Sequence, residues 1–292
     1  MGEIMHPECV LDARALLGES PVWDEIEQCL YWVDIDGCRL HRFDPASGED
    51  RAWEIGEEIG CIARREGGVV AALRSGFAFI DLPGGEITRL PSPDYDRAST
   101  RFNDGRCDPR GRFWAGTMYQ PKDRKEAWLY RLDPDGTVTR HAGPVYTANG
   151  LAFSPDGRRM YWADTPEHEI HVHDFDMARG EPGERCLFHR FPHGEGRPDG
   201  AAVDSEGHYW SALFAGGRVV RLNPRGEIVT EIPLPARYPT MVAFGGADLR
   251  TLYITTARKL SDAQELETYP QSGGLFAVRA PVAGLPEPRF GG

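Results

Sequence analysis

No apolar run in this chain approaches the roughly 18 residues that a membrane-crossing helix needs, and its start, MGEIMHPECVLDARALLGES, has no apolar leader segment. A cytoplasmic protein with no membrane partner is the plain expectation. A basic excess is missing too: 33 Lys and Arg stand against 45 Asp and Glu, a formal charge of −12. Such a surface repels phosphate backbones, which speaks against nucleic acid as a partner, and it does little to draw in anions. A neutral small molecule is the expected ligand, with no obligate protein partner evident. The six cysteines (Cys9, Cys29, Cys38, Cys61, Cys107, Cys186) form no CxxC pair and no zinc-ribbon spacing. They read as reduced thiols, with Cys107 and Cys186 filling the interior. HExxH, the P-loop and a complete dinucleotide fingerprint are absent, and GESPV lacks the final Gly of a nucleophile elbow. Linkers and low-complexity tracts are lacking, and no stretch holds a helical period over a dozen residues; LSDAQELETYP (260–270) is at most a short surface helix. These absences leave a single all-β domain over 1–292.

Repetition is what the chain has instead. An apolar strand, a Gly- or Asp-bearing turn and a strand rich in aromatics recur, as in VWDEIEQCLYWVDIDG (22–37), CDPRGRFWAGTM (107–118), LAFSPDGRRMYWADT (151–165) and AAVDSEGHYWSALF (201–214). Worn copies lie at 62–85 and 241–258. The second strand of each repeat is marked by Trp32, Val70, Trp114, Trp162, Trp210 and Tyr253. Their spacing of about 38 to 48 residues matches one four-stranded propeller blade. The turns PDG, SEG and PRG supply the positive φ that tight hairpins demand. Six copies predict a six-bladed β-propeller.

A propeller leaves a central channel lined by its innermost strands, so functional groups should sit at equivalent strand entrances in different repeats. Four segments fit: LGESPVW (17–23), TRFNDGRCDPRG (100–111), TANGLAFSPDG (147–157) and RPDGAAVDSEG (197–207). Each sets an acidic or amide residue before a small one: Glu19-Ser20, Asn103-Asp104-Gly105, Asn149-Gly150 and Asp199-Gly200. Glu19, Asn149 and Asp199 offer carboxylate and amide oxygens, a hard donor set for a divalent cation. Asn and Asp before Gly are also ordinary turn formers, and residue types alone do not separate the two roles.

These segments, with YITTARKLSDAQELETYPQSGGLFAV (253–278), resemble the regucalcin/gluconolactonase family over nearly the whole chain, in order and at blade spacing. The resemblance implies a metal-dependent sugar lactonase on a six-bladed propeller. It places one divalent ion on Glu19, Asn149 and Asp199, with Ca²⁺ and Zn²⁺ the leading expectations and Mg²⁺, Mn²⁺ and Fe²⁺ also admitted. It places Arg101 and Asn103 on the substrate hydroxyls and makes Asp199 the residue that orients water and takes its proton. One departure stands out. After GTM, where relatives carry an acidic pair, this chain has Tyr119, Gln120 and Pro121. A propeller esterase or phosphotriesterase, or a calcium-binding propeller without catalysis, would use the same donors. Elsewhere, His171 and His173 share a strand face and are expected to be solvated edge residues rather than ligands. His189 and His193 read as loop residues, and VDIDG (33–37) breaks the spacing of a calcium loop after its Gly.

Overall fold

The second strand of the first repeat, Cys29–Asp34, is buried along its whole length. A strand buried on both faces reads as a continuous apolar run, because alternate side chains face two different neighbours. A computed structural model describes residues 5–291 and shows those neighbours. Tyr31 and Val33 pack toward the second repeat against Ile59, Ile62 and Val69. Leu30 and Trp32 face the other way, against Tyr253 and Leu275 of the last repeat. The same division recurs around the molecule, so the hydrophobic core is six wedges, one between each pair of adjacent sheets. The centre is left for polar groups.

Six antiparallel four-stranded sheets make the blades of the expected propeller. Their innermost strands are Gly18–Asp24, Ile59–Arg65, Thr100–Cys107, Ala148–Phe153, Arg197–Val203 and Pro239–Gly245. The ring closes where Glu8–Leu11 pairs with Leu275–Arg279, so the last blade takes one strand from the beginning of the chain and three from its end. Closure of this kind covers sheet edges that would otherwise be open to other chains. Residues 1–4 and 292 of the expected 1–292 domain lie outside the described residues.

The repeated Trp and Asp have a shared task. Trp114 and Trp210 each donate their indole N–H to the carboxylate of the preceding turn, Asp108 and Asp204, at 2.9 Å. Asp108 Oδ2 also takes Arg112 at 2.6 Å, and Asp204 Oδ2 takes Arg221 at 2.8 Å. Buried carboxylates with this many donors are fully satisfied and stiffen the hairpin they belong to. The tight turns hold as expected, with Gly136, Gly157, Gly207 and Gly226 all at positive φ. The short helix also appears, at Ala263–Thr268, capped by Asp262 accepting from Glu265 N at 2.8 Å. No helix among the described residues is long and apolar enough to cross a membrane.

Two expectations fail on burial. Cys186 is exposed rather than interior, because it lies on the outermost strand Glu181–Arg190, which faces water. His171 and His173 are buried rather than solvated. His173 accepts the indole N–H of Trp162 at 2.8 Å, and His171 pairs with Glu169 at 3.0 Å. In this blade the histidine takes the position that the turn Asp fills for Trp114 and Trp210. The VDIDG turn is structural: Asp34 accepts backbone N–H groups from Leu16, Leu17 and Gly37.

Candidate active site

Strand entrances from four repeats were expected to meet at the channel, and a shared backbone irregularity makes them do so. In all six blades the ladder between the innermost and second strands shifts register at the equivalent place. The shifts fall at Glu19/Val22, Ile59/Cys61, Phe102/Gly105, Asn149/Ala152, Pro198/Ala201 and Pro239/Met241. A bulge bends the strand and re-aims the side chain beside it. Here six bulges at one level form a ring around the channel. Two of them use the left-handed region, with Ser20 at φ 47 and Gly150 at φ 60. Any side chain at Gly150 would collide with the Tyr209 hydroxyl, which donates to Gly150 O at 2.6 Å.

Glu19, Arg101, Asn103, Asn149 and Asp199 all line one cavity of about 230 Å³ at the entrance end of the innermost strands. The opposite end of the channel is covered by the C-terminal tail. There Arg289 pairs with Asp24 at 2.7 Å, Glu287 with Arg106 at 3.1 Å, and Phe290 N donates to Arg64 O at 2.8 Å. The site therefore opens on one side only.

A chain of hydrogen bonds orients the amides. Arg101 donates to Asn103 Oδ1 at 2.7 Å, and Asn103 Nδ2 donates to Asn149 Oδ1 at 2.6 Å. Asn149 Nδ2 in turn donates to Thr165 Oγ1 at 2.8 Å, whose hydroxyl donates to Pro198 O at 2.8 Å. Because the amide nitrogen of Asn149 is tied to Thr165, its oxygen is the atom left facing Asn103 and the cavity. Thr165 follows the second strand of its own blade, in YWADTPE, and nothing in the residue pattern marked it. Asp104 of the RFND segment does not face the substrate side. It ties two blades together by accepting Leu151 N at 2.8 Å, and its second oxygen is buried without a partner.

The electrostatics of the carboxylates are dominated by their burial. Burial pushes Glu19 well above the usual carboxylate range, and the nearby charges of Asp199 and Asp104 push it further. Burial also raises Asp199 to about 8, with Asp104 adding to it. Asp104 is raised by burial as well. Isolated ionised carboxylates are costly to bury, so this arrangement fits a site whose charge is met by a ligand. Among the described residues no group of three or more His, Cys, Asp or Glu side chains has metal-holding geometry. The donors that do converge on the cavity are two carboxylates and one amide oxygen, all hard oxygens that suit Ca²⁺, Mg²⁺, Mn²⁺ or oxygen-ligated Zn²⁺.

The departure at Tyr119–Pro121 resolves into a turn. Tyr119 is buried and Gln120 accepts from Arg74 at 2.9 Å, so neither reaches the cavity wall. Lys122, at φ 56, takes a place in the wall instead. Arg197, Lys259 and Phe214 join it there. These basic residues were missed, because an acidic composition says nothing about which few cations face the site.

An all-β propeller with a polar cavity ringed by bulges places a binding site at the channel, and relatives by sequence give its class. The SMP-30/gluconolactonase/LRE-like family matches residues 17–258, and the chain belongs to that family and is a lactonase. Among its relatives is the 6-deoxy-6-sulfogluconolactonase of Pseudomonas putida, 50% identical over 287 residues and 98% of each chain. Regucalcin of Gallus gallus is 37% identical over 293 residues, again covering 98% of each chain. The crystal structure of regucalcin from Agrobacterium tumefaciens, described as a calcium-binding protein, superposes with a TM-score of 0.94 at 28% identity over 99% of each chain.

Proposed function

We propose that this protein hydrolyses an aldonolactone to the sugar acid with the help of one divalent ion held by Glu19, Asn149 and Asp199. The observation that carries the reading is the convergence of these three oxygen donors with Arg101 and Asn103 on one cavity. Its volume of about 230 Å³ is several times the roughly 30 Å³ share of a water molecule and suits a single sugar ring. When bound, the ion supplies Lewis-acid polarisation of the ester carbonyl and charge stabilisation at its oxygen. The chain's own residues do the rest. Asp199 holds the attacking water and accepts its proton; beside a bound ion its proton affinity falls, which keeps it ionised at neutral pH. Arg101 and Asn103 hold ring hydroxyls and fix the face of the lactone that the water meets. The covered far end of the channel limits approach to one direction.

A pH-indicator assay over a panel of aldonolactones, with Ca²⁺, Zn²⁺, Mn²⁺, Mg²⁺ or Fe²⁺ supplied in turn, tests the reading. Turnover of one or a few lactones is expected; none on any lactone with any ion overturns it. Within it, Asn103→Ala should raise KM about tenfold or more, the value of one good hydrogen bond lost from substrate, while kcat falls less. A collapse in metal affinity with unchanged KM would instead make Asn103 part of the ion's support. Thr165→Val should weaken ion binding by about 10-fold to 100-fold, as loss of a residue that orients a ligand does. Titration calorimetry measures this directly, and Thr165→Ser should restore it. Unchanged affinity in Thr165→Val would show that Asn149 is held well enough without Thr165.

A further inference from the structure

The cavity's wall is more basic than its task of holding a cation and a sugar requires. Lys122 and Arg197 both line it. Among the described residues neither has a carboxylate oxygen within ion-pairing distance. The two also repel one another: Arg197 follows desolvation among the influences that hold the Lys122 ammonium below its ordinary value. The other lysine of the wall is already engaged, Lys259 pairing with Asp36 at 2.7 Å. Arg101 has Nη1 engaged by Asn103 and Phe102 O, and its remaining donors belong to the ring hydroxyls in the lactonase reading. Lys122 and Arg197 are thus like charges gathered at one mouth without ion pairs of their own, in a protein carrying a net charge of −12.

Their placement is built rather than incidental. The Arg197 guanidinium lies 5.3 Å from the centroid of the Phe214 ring, and that ring packs in turn on Tyr238 at 5.1 Å. A guanidinium placed over an aromatic face makes no hydrogen bond to it and keeps N–H groups free for a planar or tetrahedral anion. Lys122, at φ 56, closes a turn by donating its N–H to Tyr119 O at 3.2 Å and lines the wall from there. It sits immediately after the segment Tyr119–Pro121 that replaces the acidic pair of relatives.

We propose that Lys122 and Arg197 form an anion subsite, so that the substrate is a lactone carrying an anionic tetrahedral substituent, a sulfonate or a phosphate, on the carbon away from the reacting ester. The inference rests on the lactonase reading for its reaction and corrects the expectation of a neutral ligand. Because both cations line the same cavity of about 230 Å³ as Asp199, the substituent and the ester carbonyl lie within the reach of one sugar. A sulfonate accepts such donors with three oxygens and stays charged at any working pH, and a phosphate monoester offers the same number of oxygens with greater charge.

The test compares kcat/KM for glucono-lactone, its 6-phosphate and its 6-deoxy-6-sulfonate. The anionic lactones should be preferred by tenfold or more, through KM, and KM for them should rise with ionic strength because the attraction is electrostatic. The arm with the larger preference identifies the substituent. Lys122→Met and Arg197→Met should each cut the ratio of anionic to neutral kcat/KM by about tenfold, the value of one charge-assisted hydrogen bond. A flat ratio in the wild type, or equal losses on both kinds of substrate in the variants, overturns the subsite. Calorimetry with the ring-opened acids, gluconate against 6-deoxy-6-sulfogluconate and 6-phosphogluconate, decides it independently of turnover. Tighter binding of an added anion supports the subsite even if no lactone is cleaved, and equal binding of all three overturns it even if lactones are.

Discussion

Asp199→Asn is expected to leave the propeller folded and to remove nearly all turnover, about 10³-fold to 10⁴-fold in kcat. The amide has the shape of the carboxylate but can neither accept a proton from water nor offer a full negative charge to a cation. Loss of a general base alone removes about 10²-fold to 10⁴-fold, and weaker charge stabilisation at the same centre adds to that. The fold should not suffer. Asp199 is 6% exposed, and burial lifts its affinity for protons to about pKa 8, so an uncharged group fits its surroundings at least as well. Circular dichroism and a thermal melt check the fold, and the lactone assay checks the chemistry. A variant with more than a tenth of wild-type turnover would take Asp199 out of the mechanism.

Removing divalent ions should have a comparable effect, and it should also change how stability responds to pH. In an unfolded chain Asp and Glu release their protons near pH 3.9 and 4.3. In the folded, ion-free protein burial raises both Glu19 and Asp199, Asp199 to about 8. Between those values the folded state keeps protons that the unfolded chain has lost. The stability from these groups is therefore fully present below about pH 4, and it is lost as pH rises toward 8. A bound cation favours the ionised carboxylates and offsets this loss, because ion binding and proton release are coupled. The gap in melting temperature between ion-loaded and chelated protein should widen from pH 5 to pH 8, while chelation abolishes turnover and added ion restores it. A gap that does not change with pH would show that Glu19 and Asp199 are not the residues the ion meets. Full turnover after verified loss of metal would sink the Lewis-acid chemistry.

Much of this protein was legible in one dimension. The spacing of Trp32, Trp114, Trp162 and Trp210 reflects a repeating physical need, since each second strand must fill the wedges on both its faces. Turns such as PDG and SEG announce positive φ through their glycines, and RFNDG, TANGL and RPDGA mark strand entrances where polar residues interrupt apolar runs. Those signals are local, and local chemistry sets them. Burial on the outer strands was harder to read. His171 and His173 sit on the third strand of their blade and Cys186 on the fourth, where the same alternating pattern can be covered or open depending on the neighbouring strand.

The sequence by itself determined the all-β class, the six-fold repeat and which carboxylates and amides stand at the strand entrances, because periodicity and turn chemistry depend on near neighbours in the chain. Only the tertiary structure decided that Glu19, Asn149 and Asp199 share one cavity, that Thr165 orients Asn149, and that Lys122 and Arg197 face the same space. These residues come from different blades, and their meeting depends on ring closure and on bulges that turn side chains toward a common centre. The sign of the local field followed the same rule: a net charge of −12 belongs to the whole surface, while the few cations at the mouth are selected by the folding of distant segments.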